Sequence, residues 1–501
     1  MLKPLKSSEW NAAKAAHLLN RAGFCAHPEE VERLAAMSPG EAVASLVDYE
    51  KTPDPVTRPE WARPNPDAFK EQMAMRLLSE EEKRQQRRRL RRQNRNEMTD
   101  LRQWWLERMA YGPRPLQEKL VLFWHGHFAT SQEKVRNAFY MYRQNEVFRQ
   151  HAKGPWLEML TAVSKDPAML LWLDGARSNR KHPNENFARE VMELFALGEG
   201  HYSEDDIREA ARAFTGWSID RGKQDYVWRQ RAHDAGSKTF FGQRGKFKGE
   251  DILAMIVDQP QADRHLTARL WRFFASEQIS PQLDNALAMS FRYHDKTVGP
   301  FLREVFLSRE FYAPEVMNRQ VKSPTQWLVS TIRLLNRELP PPAVNEGILR
   351  QLGQELFRPP NVKGWDGGVA WIDTNRLLAR YNFAKDLVEG RRGGSRPSRQ
   401  FTMDALTRGE PKAREAMMER LMNSQLGRMA PADIAKLLPA YRDLPPAEIL
   451  AKLEEHFIFT RLKPARRETL LSFLNQQKRL DETSLRHAIR LLMCTPEYQL
   501  T

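Results

Sequence analysis

Asn186, Glu190 and Glu193 fall at i, i+4 and i+7, which sets one amide and two carboxylates on one face of a helix, with Arg189 beside them. They belong to residues 173–217, LDGARSNRKHPNENFAREVMELFALGEGHYSEDDIREAARAFTGW, where Asp174, His182, Asn184 and Glu185 add further polar groups just before the helix. Two other polar loops could complete a site. His125 and His127 occur as a His-X-His pair in FWHGHF, and His233, Asp234 and Lys238 occur together in HDAGSK. Imidazole plus carboxylate suits zinc, manganese or iron. The expected metal ligands are His125, His127, His182 and Glu190. Glu185, Arg189, Glu190, Glu193, His233, Asp234 and Lys238 are the catalytic candidates, a spare carboxylate serving as general base toward a metal-bound water. Arg189 and Lys238 would answer the negative charge of an anionic substrate. Asn184, Asn186, Trp365 and Trp371 are the substrate-binding candidates.

These groups need rigid elements to hold them. Asn184 is placed to cap a helix whose apolar stripe is Phe187, Ala188, Val191, Leu194 and Phe195 and whose stop is Gly198. A second helix starts at Ser203, with Asp206 three residues on as in a capping box, and buries Ile207, Ala210, Ala211 and Phe214. His125 and His127 flank Gly126 at the end of PLQEKLVLFWHGHFATS. Two residues at i, i+2 on a continuous helix point away from each other, so joint ligation requires a turn at Gly126. Trp365 and Trp371 lie in RPPNVKGWDGGVAWIDTNR, where Gly364, Gly367 and Gly368 permit close backbone approach before a helix beginning near Thr374. The tryptophans either cap the core or stack on a ligand.

Helical periodicity dominates elsewhere, so the fold class is all-α, a large multi-helix protein with one small β-hairpin or irregular excursion around 217–249. Residues 8–49 read as two or three short helices. From 66 to 111 little interrupts a helix, and a break is expected near the arginine run KRQQRRRLRRQNR at 83–95. The divisions are 1–111, an N-terminal cap and long basic helix; 112–388, a central domain carrying the polar motifs; 389–400, a linker; and 401–501, a C-terminal helical region with starts near Pro411, Pro431, Pro446 and Asp481.

Composition bounds the function. The 501 residues, 41% apolar with 13 Trp, can bury a large core. Cys25 and Cys494 form no zinc or disulfide framework, which fits a reducing compartment. The N-terminus lacks a signal-type apolar run and reads as a mature cytoplasmic start, and no apolar stretch is long enough for a transmembrane segment. A net charge of +15 suits an anionic partner such as nucleic acid, an acidic polysaccharide or a membrane surface. The arginine run reads first as a solvated helix face, and it lacks the interleaved aromatics of a clear nucleic-acid motif. Dinucleotide, P-loop, nucleophile-elbow, zincin and di-iron signatures are absent.

The motifs HLLNRAGF, FWHGHF, PNENFAREVMELFALGEGHYSEDDIREAARAFTGW, HDAGSKTFFG and RPPNVKGWDGGVAWIDTNRLLAR, in this order, resemble the bacterial family DUF1800. The resemblance runs from His17 to Asn382, with an echo in LLMCTPEYQL. It implies a large, mainly helical protein, often encoded beside a DUF1501 protein of sulfatase or alkaline-phosphatase type, and it brings no activity with it. Cys25 stands where the family pattern leads one to expect Gly, and many relatives look exported whereas this N-terminus does not. The residues favour a metal-dependent hydrolase-type enzyme acting on an anionic or glycan-type substrate. The alternatives are an accessory or maturation partner of the DUF1501-type protein and a basic protein that binds anionic polymers. The geometric expectation is that the three polar loops converge on the Asn186, Glu190 and Glu193 face.

Overall fold

The computed structural model describes residues 2–390, 431–477 and 480–501. Its described residues form an all-α body with two small antiparallel hairpins. Two helices are buried all round and make the centre of the core. In Pro115–His127 only Pro115 and Gly126 escape burial, and in Pro324–Leu334 only Arg333 does. A helix with almost every side chain buried has little solvent face to offer, so other elements must surround it. Around this pair pack the second half of Glu80–Tyr111 and the helices Ala138–Gln150 and Pro260–Phe274.

The N-terminal region forms the three helices Ala12–Ala22, Pro28–Ala35 and Pro39–Val47. At the other end Glu482–Met493 lies against Thr374–Glu389, and the Tyr498 hydroxyl meets Thr331 Oγ1 at 2.7 Å. One buried cluster runs through residues from Leu2 to Tyr498, so the N-terminal, central and C-terminal stretches share a core. The expected linker lies, from residue 391 on, outside the described residues, as does the expected helix start at Pro411. The starts at Pro446 and after Asp481 are present.

Two local expectations need correction. The break in the long helical stretch comes upstream of the arginine run: Leu78 is extended, and Ser79 and Glu82 form a capping box that starts Glu80–Tyr111, which then continues unbroken through all the arginines. The excursion after Trp217 is two hairpins rather than one. Strand β1 (Trp217–Asp220) pairs with β2 (Asp225–Trp228), and β3 (Lys238–Phe240) with β4 (Gln243–Gly245).

Candidate functional site

Asn184 caps its helix as expected, accepting from the Phe187 N–H at 3.2 Å and donating to the Leu173 carbonyl at 2.7 Å. The α-helix Glu185–Glu190 then opens into a π-helical segment, Val191–Leu197, before Gly198 at φ +83°. A π turn adds a residue and leaves carbonyls out of the regular ladder. Three side chains from other helices meet them: His265 bonds the Leu194 carbonyl at 3.1 Å, His127 the Phe195 carbonyl at 2.9 Å, and Gln261 the Leu197 carbonyl at 3.2 Å.

The expected metal ligands are dispersed. The Pro115–His127 helix stays helical through Gly126, so the two imidazoles face opposite ways. His125 Nε2 accepts the Phe357 N–H at 2.9 Å, with its ring among Trp105, Phe357 and Trp365. His127 sits among Phe123, Trp124, Phe128 and Trp156. Burial holds both rings neutral, His125 down to about 3. His182 is exposed at a turn closed with Asn179. Among the described residues no three His, Cys, Asp or Glu side chains form a group able to hold a metal ion, so the chain's own geometry does not fit the ion anticipated from His125, His127, His182 and Glu190.

The catalytic candidates divide in the same way. Glu185 and Asn186 are exposed. Arg189 makes a two-pronged pair with Glu204, both contacts at 2.8 Å, and Glu193 accepts from the Tyr202 hydroxyl at 2.8 Å. Glu190 is half-buried, and desolvation together with the Glu193 charge raises its pKa, while Lys363 and Arg189 oppose the rise. The third loop is tied elsewhere. Asp234 accepts Arg212 Nε at 2.7 Å, Lys238 Nζ donates to the Asp234 and Gly236 carbonyls at 2.6 and 3.0 Å, and His233 Nδ1 meets the Thr215 carbonyl at 2.9 Å. Arg212 lies in the last turn of Glu204–Ala213, roughly 12 Å along the axis from Glu204, at 1.5 Å per residue. The His233, Asp234 and Lys238 loop therefore fastens the far end of that helix and does not join Arg189 and Glu190.

What the structure does bring together is a cleft of about 750 Å³. Its walls come from Pro115–His127, Pro260–Phe274, the start of Pro324–Leu334 and the glycine-tryptophan loop, including both Trp365 and Trp371. Lys363 is on its lip, 3.9 Å from Glu199 and close enough to act on Glu190. The loop's glycines make this wall possible. Gly364, at φ +84°, approaches so closely that a Cβ there would sit 2.3 Å from the Gly126 carbonyl oxygen.

The charges in this cleft are unbalanced. Lys119 is 3% exposed, yet its Nζ donates to the neutral Gln326 Oε1 at 2.9 Å and lies over the rings of Phe24 and Phe273, at 5.1 and 5.6 Å. Behind it, fully buried Arg21 also meets an amide, Gln320 Oε1, and donates to the Val316 carbonyl at 3.0 Å. The side chains of Arg269 and Arg272 have no hydrogen bond or ion pair among the described residues. Burial, followed by repulsion from Arg272, lowers the pKa of Arg269, and burial with repulsion from Arg21 lowers that of Lys119 strongly. The cleft carboxylates, Glu277 and Asp366, pair with none of these cations. Buried charges are ordinarily paired, because their desolvation is otherwise uncompensated. Glu118, next in sequence to Lys119, shows the ordinary outcome: Arg149 and Arg108 both engage its carboxylate at 2.8 Å.

The family model described as "Protein of unknown function (DUF1800)" matches residues 17–500. The chain belongs to the DUF1800 family. No curated protein and no solved structure matches it.

In this DUF1800 protein the residues that sequence reasoning missed are the cleft cations Lys119, Arg269 and Arg272, with Gln326, which receives Lys119, and Gln320, which receives the buried Arg21 behind it. A signal for two of them was available. Lys119 has Leu116 at i−3 and Phe123 at i+4, and Arg269 has Leu266 at i−3 and Phe273 at i+4, so each cation interrupts an apolar helix face. Gln320 and Gln326 carry no such mark, since only the tertiary fold shows that they stand where carboxylates would be expected.

Proposed function

We propose that this DUF1800 protein binds an anionic ligand in the cleft between Lys119, Arg269 and the glycine-tryptophan loop. The carrying observation is that Lys119 is buried against an amide rather than a carboxylate. An incoming phosphate, sulfate or carboxylate group would supply the missing negative charge, and charge-assisted hydrogen bonds are the stronger class of such contacts. Half-buried Trp365 offers an apolar face to the remainder of the ligand, which suits a sugar ring or another flat group. Glu277 and Asp366 line the same cleft and are the candidates for acid–base work if the ligand is hydrolysed there. Hydrolysis through a metal held by His125, His127 and His182 gains no support from their positions. The accessory reading beside a DUF1501-type protein rests on family resemblance alone.

The test is calorimetric titration of the protein with pyrophosphate, inorganic sulfate and a sulfated disaccharide, alongside Lys119→Met and Arg269→Met. Saturable binding that each substitution weakens at least tenfold supports the reading. Binding that survives both substitutions, or no binding of any of the three anions, overturns it. Release of phosphate or sulfate, followed with and without added divalent metal, then separates an enzyme from a binding protein.

A further inference from the structure

We propose that the helical arm formed by Ala68–Leu77 and the first half of Glu80–Tyr111 docks on an anionic lipid surface. This surface is independent of the cleft. From Phe69 to Glu97 none of the described side chains is buried, and the first buried residue of the long helix is Met98. Helices that cover no core ordinarily present polar side chains all round. The first of these does not. Phe69, Met73 and Leu77 recur at i, i+4 and i+8, so they share one face, and they are 55%, 44% and 89% exposed.

The second helix adds a charged stripe of its own. Arg84, Arg88, Arg91 and Arg95 fall at i, i+4, i+7 and i+11, with Arg87 and Arg92 flanking them, which makes a stripe about 16 Å long at 1.5 Å per residue. None of the six has a hydrogen bond or ion pair among the described residues, although the helix opens with Glu80, Glu81 and Glu82. Arg108, the same helix's arginine inside the body, is by contrast paired to Asp54 and Glu118, so the outer stripe is left open to a partner from outside.

Charge complementarity selects an anionic partner, and the apolar stripe selects its kind. A nucleic acid would engage the arginines but gives Phe69, Met73 and Leu77 nothing to enter. A bilayer bearing anionic headgroups takes both: arginines at the phosphates, apolar side chains at the acyl boundary. No helix among the described residues is long and apolar enough to cross a membrane, so the arm would lie on the surface.

The experiment is sedimentation of the full chain with vesicles of phosphatidylcholine and phosphatidylglycerol at 3:1, with pure phosphatidylcholine vesicles and a duplex oligonucleotide as comparisons. One variant carries Arg84→Glu, Arg88→Glu, Arg91→Glu and Arg95→Glu, and a second carries Phe69→Ser, Met73→Ser and Leu77→Ser. Because these side chains are unburied, both variants should melt with the parent protein. Binding to the anionic vesicles alone, at least tenfold weaker in each variant, supports the proposal. Binding to the oligonucleotide but not to vesicles overturns it, as does binding to neither. Vesicle binding that the serine variant retains in full overturns it too, since it would reduce the contact to charge.

Discussion

The Lys119 ammonium nitrogen lies 2.9 Å from Gln326 Oε1, so the most buried cation of the cleft is received by a group that solvates it without neutralising it. One residue earlier, Glu118 is neutralised by Arg108 and Arg149. Adjacent residues of one helix thus treat burial of charge in two ways. The difference is the cleft: Lys119 lines it, and Glu118 faces the closed core.

Replacing Lys119 or Arg269 by Met should separate stability from binding. Each cation bears a desolvation cost in the empty protein that no carboxylate offsets, and an unbranched apolar side chain fits a similar volume. Thermal unfolding of the empty variants is expected at or above the parent temperature. Anion binding is expected to weaken by about 1.5–3 kcal/mol for each lost charge-assisted hydrogen bond, roughly tenfold to a hundredfold. A clear drop in unfolding temperature would mean that the cations hold the fold together instead.

Gln326→Glu tests the same point by adding what the cleft lacks. The new carboxylate would sit where the amide accepts from Lys119 and would neutralise it internally. Anion binding should fall at least tenfold while Lys119 still occupies its place, whereas Gln326→Met should leave the cation free for a ligand. Equal binding by the Glu and Met variants in titrations would remove charge from the explanation.

Much of the scaffold was legible in the sequence because its signals are local. Asn184 and Ser203 cap the helices they precede, a helix starts at Thr374, and Gly198 ends one at positive φ. The expected convergence was less so. His125, Gly126 and His127 looked like a helix stop, but His125 and His127 on either side of the glycine are buried and held by their packing, which overrode its weak intrinsic preference. The π segment was invisible for a related reason: the chain alone does not announce that His127, His265 and Gln261 will arrive from elsewhere to take its carbonyls. Trp365 and Trp371, which stood out by their glycine-rich setting, both line the cleft.

Anion affinity should depend on pH through Lys119. Burial and then Arg21 hold its pKa well below the ordinary lysine value, and only the ammonium attracts an anion. As pH rises through that depressed pKa, affinity is expected to fall about tenfold per unit, with a proton taken up on binding. The empty protein behaves oppositely. Between Lys119's folded pKa and the ordinary value near 10.5 the unfolded chain holds more protons, so this residue's contribution to stability rises with pH and then levels off. Titrations in buffers of different ionisation enthalpy will show the proton uptake, and Lys119→Met should abolish it.

Gly364 and Gly126 make a pair of opposite expectations. Gly364 has φ +84°, and an added Cβ would meet the Gly126 carbonyl, which is backbone and cannot turn aside. Gly364→Ala should therefore cost about 1–3 kcal/mol and move the loop that carries Trp365, which tryptophan fluorescence and thermal unfolding will report. A Cβ on Gly126 meets nothing within 4 Å, because that face opens on the cleft. Gly126→Ala should fold as well as the parent or better, by up to about 1 kcal/mol from helix propensity, yet place a methyl group in the cleft and weaken anion binding. If both substitutions were harmless to binding, the wall shared by the His125–Gly126–His127 turn and the glycine-tryptophan loop would not be part of the site.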